Sequence, residues 1–172
     1  MAFITNGNTT VSFAEYQDVL DADQRLFEAN EGLTDEIVED HLIRATERIL
    51  SLFRSTDWWR SYYLRRNVGA GATAVNTVAD IPALDIGRID SRANDFTDLA
   101  VYYALYNYTL PAIADFSRED NAERAKIGFY QGKFDLLFGE LITAGDWYDF
   151  DDDGTVETGE KSPGQYNLKR IR

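Results

Sequence analysis

Six carboxylates fall within twelve residues between Asp149 and Glu160: Asp149, Asp151, Asp152, Asp153, Glu157 and Glu160. Asp149, Asp151 and Asp153 alternate along the chain, so a loop can turn their oxygens toward one centre. Gly154 stands where a sharp turn must follow the third of them, and Glu160 closes the run with a carboxylate able to offer both oxygens. The chemistry served by such spacing is the binding of a hard divalent cation, which takes about 6 to 8 oxygens at about 2.3–2.6 Å. Without a counter-ion, so many like charges repel one another, which favours a bound cation over an empty acidic turn.

The run meets every position of the EF-hand loop pattern, with carboxylates at the first, third and fifth places, glycine at the sixth, Val156 at the eighth and glutamate at the twelfth. The predicted Ca2+ ligands are Asp149, Asp151, Asp153, the carbonyl of Thr155, Glu157 (directly or through water) and Glu160. Ser162-Pro163-Gly164 cuts off the outgoing helix of a regular EF-hand, and the sequence offers no second loop for pairing. A structural ion that directs the chain's exit is therefore expected, in place of a sensor that opens a groove. The stretch that follows, 161–172, carries Lys169, Arg170 and Arg172 interleaved with Leu168 and Ile171. It reads as an extended tail suited to a partner's sheet edge or acidic groove, with Leu168, Lys169, Arg170, Ile171 and Arg172 as the expected partner contacts.

Other chemistries are poorly supplied. The chain has no cysteine, which excludes disulfides, thiolate metal sites and cysteine nucleophiles. A single histidine, His41, leaves histidine-based triads and multi-imidazole zinc or iron sites out of reach within one chain. His41 lies on a predicted helix among Glu39, Asp40 and Arg44 and is assigned no role. No nucleophile and base pair can be picked out, so no enzyme is expected. A formal net charge of −13 argues against tight non-specific binding to nucleic acid, yet an acidic wall would let a duplex slide past. No apolar stretch approaches the ~20 residues needed to span a bilayer, and the N-terminus lacks the order of a signal peptide, so a soluble protein of the cytoplasm is expected.

The elements that must position the acidic loop are mainly helices. The length of 172 residues suits one domain. The first ten residues read as a mobile or partner-dependent arm. Ser12 and Glu15 have capping-box spacing for a helix to about Leu20, and a second short helical piece covers Ala22–Asn30. Thr34 can cap a long amphipathic helix whose seam is Val38, Leu42, Ala45, Ile49 and Phe53. The block 56–66, with Trp58, Trp59, Tyr62, Tyr63 and three arginines, could grip single-stranded nucleic acid, but rings packed inward with arginines on acidic neighbours fit the overall charge better.

Residues 67–92 lose helical period and read as a long loop or β-hairpin excursion. Gly69-Ala70-Gly71 lacks the context of a phosphate loop. One long helix follows through Phe96, Leu99, Tyr103, Tyr106, Leu110 and Ile113, kinked or ended near Pro111. Another runs through Ile127, Tyr130, Phe134, Leu137 and Leu141, with Gly128, Gly132 and Gly139 marking a close approach, in the core or at a subunit contact. The expected fold class is therefore mainly α: a bundle of four to five helices in a body over 1–148, an acidic loop over 149–160 and an extended tail over 161–172.

This order of elements resembles the head-tail adaptor, or head completion, proteins of tailed bacteriophages. The ending Gly145-Asp-Trp147-Tyr-Asp149-Phe-Asp151-Asp-Asp153-Gly154, then Glu160-Lys161 and Lys169-Arg170-Ile171-Arg172, looks like the Trp-Tyr-Asp-x-Asp endings of a subset of phage virion proteins in that group. The resemblance implies a virion neck protein, made in the host cytoplasm. It further implies a homo-oligomeric ring of about a dozen copies beneath a portal protein, tails reaching the portal, loops facing tail or stopper proteins, and DNA passing through without being gripped. The competing reading is a free calcium-binding interaction or regulatory protein.

Overall fold

A computed structural model describes residues 3–7, 9–30, 32–66, 77, 80–117, 121–158 and 160–161. The chain is mainly helical. It begins, however, with a small antiparallel sheet in which β1 (Ile4–Asn6) pairs with β2 (Thr9–Ser12). Gly7 takes the left-handed conformation at the turn, φ 64°, a region that residues with a side chain rarely adopt. The same Asn, Thr and Gly content that suggests a free arm is also hairpin chemistry. The Phe3 ring anchors the hairpin, 4.9 Å from Phe13 and 6.5 Å from Phe96.

Two short helices follow, α1 (Tyr16–Ala22) and α2 (Gln24–Ala29). The cap of α1 is shifted from the expected Ser12–Glu15 pair. Glu15 itself is the cap residue and donates its N–H to Asp18 at 2.9 Å, whereas Ser12 ends β2 and bonds the Ala14 backbone. A residue still in strand pairing cannot also start the helix.

Helix α3 (Asp35–Ser55) is capped as expected, by Thr34 Oγ1 accepting the Ile37 N–H at 3.4 Å. Its seam residues Val38, Leu42, Ala45, Ile49 and Phe53 are all fully buried. Only Thr56 separates it from α4 (Asp57–Arg66), and the Thr56 hydroxyl donates to the Phe53 carbonyl and accepts from the Trp59 N–H. The described part of the expected 67–92 excursion, residue 77 and 80–92, holds a 3-10 turn at Ile86–Arg88 and no strand.

Helix α5 (Ala93–Ala104) passes through a π-helical turn, Leu105–Thr109, into the short α6 (Leu110–Ile113). Pro111 explains the irregularity. In α geometry its ring would press on the carbonyl four residues back, at Asn107. Widening the turn, so that the Leu110 N–H reaches back to the Leu105 carbonyl, relieves that conflict, and the helix ends two residues past the proline. The last helix, α7, spans Ala122–Ala144.

The chain divides into two compact units: residues 1–49 with 92–140, and residues 50–91 with 141–172. In the first, the Phe13 backbone is pinned between two threonines. Its N–H reaches Thr46 Oγ1 at 3.1 Å and its carbonyl accepts from Thr97 Oγ1 at 2.9 Å. Val19, Leu26, Leu42, Phe96, Leu99 and Leu105 are buried in the same unit, with the Phe96 ring 5.3 Å from Phe13. Asp23, only 9 % exposed, accepts from Lys126 Nζ at 2.6 Å and from the Tyr130 hydroxyl at 3.3 Å. Half-buried His41 faces Thr109 Oγ1 at 3.1 Å. Among the described residues the three α7 glycines do not mark a close approach: a Cβ added at Gly128, Gly132 or Gly139 would meet none of them within 4 Å.

Candidate metal loop and its aromatic footing

The second unit is built on rings. Trp58, Trp59 and Tyr62 of α4 are buried, as the inward-packing reading expects. They meet Trp147, Tyr148 and Phe150 from the chain after α7: Trp58 lies 4.8 Å from Trp147, Trp59 4.9 Å from Tyr148, and Tyr62 stacks on Phe150 at 3.8 Å. Phe53 adds a contact to Trp147 at 5.0 Å. Such rings bury large areas and gain from offset and edge-to-face geometry. The expected pairing of the arginines with acidic neighbours is not seen at the one described atom that bears on it. Arg60 Nε is buried with no hydrogen-bond partner among the described residues, and the side chains of Arg65 and Arg66 lie outside them.

Backbone and side-chain hydrogen bonds lock this footing. Gly145, at φ 56°, ends α7 and donates to the Leu141 carbonyl, which also accepts the Trp147 indole N–H at 2.9 Å. Residues 88–90 then pair with 147–149. Ile89 bridges Tyr148, the Asp90 N–H reaches the Trp147 carbonyl, and the Asp149 N–H reaches the Arg88 carbonyl, each of these two bonds at 3.0 Å. Arg54 from the end of α3 holds the Ile81 carbonyl at 2.6 Å, and the Asp85 N–H donates to the Tyr148 hydroxyl at 3.1 Å. Burial pushes the Tyr148 phenol up from its ordinary value, partly opposed by that N–H and by Arg88.

On this base the acidic run folds into a tight loop. Asp149 is 4 % exposed and accepts the Asp152 N–H at 2.7 Å and the Gly154 N–H at 2.8 Å. Burial pushes its carboxyl upward, but the N–H groups of Gly154, Asp152, Asp153 and Asp151 outweigh that and hold it below the usual carboxylate value. Asp152 and Gly154 both take positive φ, 67° and 87°. Aspartate tolerates that region better than most residues, and glycine enters it freely. Asp153 Oδ1 accepts both the N–H and the hydroxyl of Thr155 at 2.9 Å.

Glu160, only 2 % exposed, reaches back across the loop. Its Oε1 accepts from Phe150 at 2.8 Å and Asp151 at 3.1 Å, and its Oε2 accepts the Glu157 N–H at 3.0 Å.

Of the six residues expected to bind metal, Asp149, Asp151 and Asp153 are brought together, with carboxylate oxygens within 4.8 Å of one another. Three aspartates so placed can hold a cation, and an all-oxygen donor set suits a hard one. Glu157 and Glu160 stand outside that cluster, Glu160 being turned onto backbone amides, and Thr155 joins through its bonds to Asp153. The expected partner contacts Leu168, Lys169, Arg170, Ile171 and Arg172 lie outside the described residues, as do 67–76 and 78–79 of the excursion.

Arg88 is a residue that motif reading misses. Its guanidinium donates to the Phe150 carbonyl at 3.0 Å and to Asp152 at 3.2 Å, bracing the acidic loop from a stretch with no periodicity of its own. Among the described residues, no helix is long and apolar enough to cross a membrane. Comparison with protein-family models, with curated proteins and with solved structures gave no match.

Proposed function

We propose that this protein is a structural adaptor of a tailed-phage neck, a ring-forming virion protein that joins the portal to the tail and lets DNA pass. In this reading Asp149, Asp151 and Asp153 hold a structural calcium ion, and the Thr155 carbonyl, Glu157 and Glu160, which stand outside the three-aspartate cluster, turn in to complete it when the ion is bound. The ion and the aromatic footing together set the direction in which residues 161–172 leave the body toward the portal.

The observation that supports this most is the anchoring of the acidic loop. Two nearly sealed carboxylates, Asp149 and Glu160, close the loop on itself, and Trp147, Tyr148 and Phe150 rivet it to α4 immediately before the basic segment. A sensor needs a loop whose flanking segments can swing, whereas the incoming side of this loop is braced by Arg88 and by the ring cluster. The motif suits a fixed clasp. The acidic balance fits a conduit that repels the duplex it passes.

The test is reconstitution with a portal protein from the same genome. Negative-stain images should show a ring added beneath the portal, lost when Lys169, Arg170 and Arg172 are all changed to glutamate. A protein that stays monomeric beside the portal and changes shape on calcium addition would instead be the free calcium-binding protein.

A further inference from the structure

Helix α7 is apolar on two opposite sides. At about 100° per residue, Ile127, Tyr130 and Phe134 share one side, and Tyr130 and Phe134 are buried. Ala125, Gly128, Phe129, Gly132, Leu136 and Gly139 fall on the other, all of them exposed. Phe129 is 57 % and Leu136 66 % exposed, and among the described residues nothing would meet a Cβ at the three glycines. A helix of this kind is expected to be covered on both sides.

Phe129 also lines a cleft of about 470 Å³. Asp18, Asp21 and Asp98 give the cleft an acidic rim, and Lys133 is the one cation lining it among the described residues, held over the Tyr102 and Phe129 rings at 5.1 and 5.0 Å. Asp98 is pushed above the ordinary aspartate value by desolvation and by Asp95 and Asp18, with Lys133 opposing.

We infer that this face of α7, with its acidic cleft, receives the basic segment Leu168–Arg172 of a second copy of the chain. Charge complementarity chooses the occupant. The net charge is −13, so copies repel one another unless a cationic surface meets an acidic one. Residues 161–172 supply four basic side chains and no acidic one, with Leu168 and Ile171 set between them. Five extended residues reach about 16 Å, more than the rise of about 10 Å from Phe129 to Leu136, so one segment can cover the apolar stretch and still place a cation in the cleft. A segment engaged in this way is not available to a portal. Copy-to-copy contact and portal contact are thus alternatives, and the inference is tested without any phage component, so it can fail while the neck reading stands.

The test uses the full chain and a synthetic peptide of residues 165–172. Light scattering at low salt should show concentration-dependent association that weakens at least tenfold in Leu136→Glu, in Asp98→Asn and in a Lys169→Glu/Arg170→Glu/Arg172→Glu protein, and in wild type at high salt. Leu136 is exposed, so helical circular dichroism should be unchanged in its variant. The peptide should bind the triple variant and lose at least tenfold in affinity when Leu136→Glu is added. Association or peptide binding unaffected by Leu136→Glu would overturn the inference, as would no peptide binding at millimolar concentration. A wild-type protein that stays monomeric and refuses a peptide that the triple variant accepts would show the chain's own segment in place, and would equally overturn the second copy.

Discussion

Glu160 Oε1 accepts the backbone N–H of Phe150 at 2.8 Å, tying the last carboxylate of the acidic run to its second residue. With Asp151 and Glu157 also donating, one buried carboxylate organises three backbone amides. Glu160→Gln keeps the size but turns one acceptor into a donor facing N–H groups. Hydrogen bonds to charged groups contribute about 1.5–3 kcal/mol each, so a loss on the order of 2 kcal/mol is expected in urea unfolding followed by tryptophan fluorescence. Calorimetric calcium uptake should weaken at least tenfold, and unchanged uptake would refute the proposed site.

Trp147 is fully buried, its indole N–H on the Leu141 carbonyl and its ring against Trp58 and Phe53. Trp147→Ala should cost about 3–5 kcal/mol, as removal of a buried aromatic generally does, and should collapse the near-ultraviolet circular dichroism of the ring cluster. A loss under about 1 kcal/mol would mean the footing is far looser than described.

Gly132 sits in mid-helix with open space beside it. Gly132→Ala should stabilise the dilute protein by about 0.5–1 kcal/mol, because alanine has less unfolded-state freedom to lose and a better helix propensity. Thermal unfolding at low concentration checks it. A destabilised variant would place an unseen neighbour against α7 within the same chain.

His41 is held below its ordinary value of 6.5 by burial first and by Arg44 next, with Asp40 opposing. The folded state therefore favours the neutral ring. This contribution is present in full above pH 6.5 and is lost as pH falls through the lower folded value. Wild type should lose more stability between pH 7.5 and pH 5 than His41→Gln does, as read from urea midpoints, and equal losses would overturn the assignment.

Arg88 donates to Phe150 and Asp152 of the acidic loop. Arg88→Ala should leave the helices intact, lower stability by about 1–2 kcal/mol and speed amide exchange at Asp152 and Gly154. Exchange rates equal to those of wild type would show that the brace is redundant.

Local pattern carried the helices and the acidic loop. The seam of α3 is legible because burial of one helical face imposes a period of 3.6, and all five of its predicted members are sealed. The clustering of Asp149, Asp151 and Asp153 follows from their spacing and Gly154 alone, since a turn in so few residues leaves little choice. What the sequence could not show is what each pattern meets. The Ser12 cap gave way to strand pairing with Ile4, and the π turn answered a conflict between Pro111 and its own upstream carbonyl. The α7 glycines, which locally suggest close packing, have no close neighbour among the described residues. Glu160 was legible as a carboxylate, but its burial depends on Phe150 being held by Tyr62 and Arg88, residues at least 62 positions away in the chain. Spacing along the chain determined which oxygens could converge. Only the long-range packing of rings and arginine decided where they were held, because burial is a property of neighbours that sequence spacing does not name.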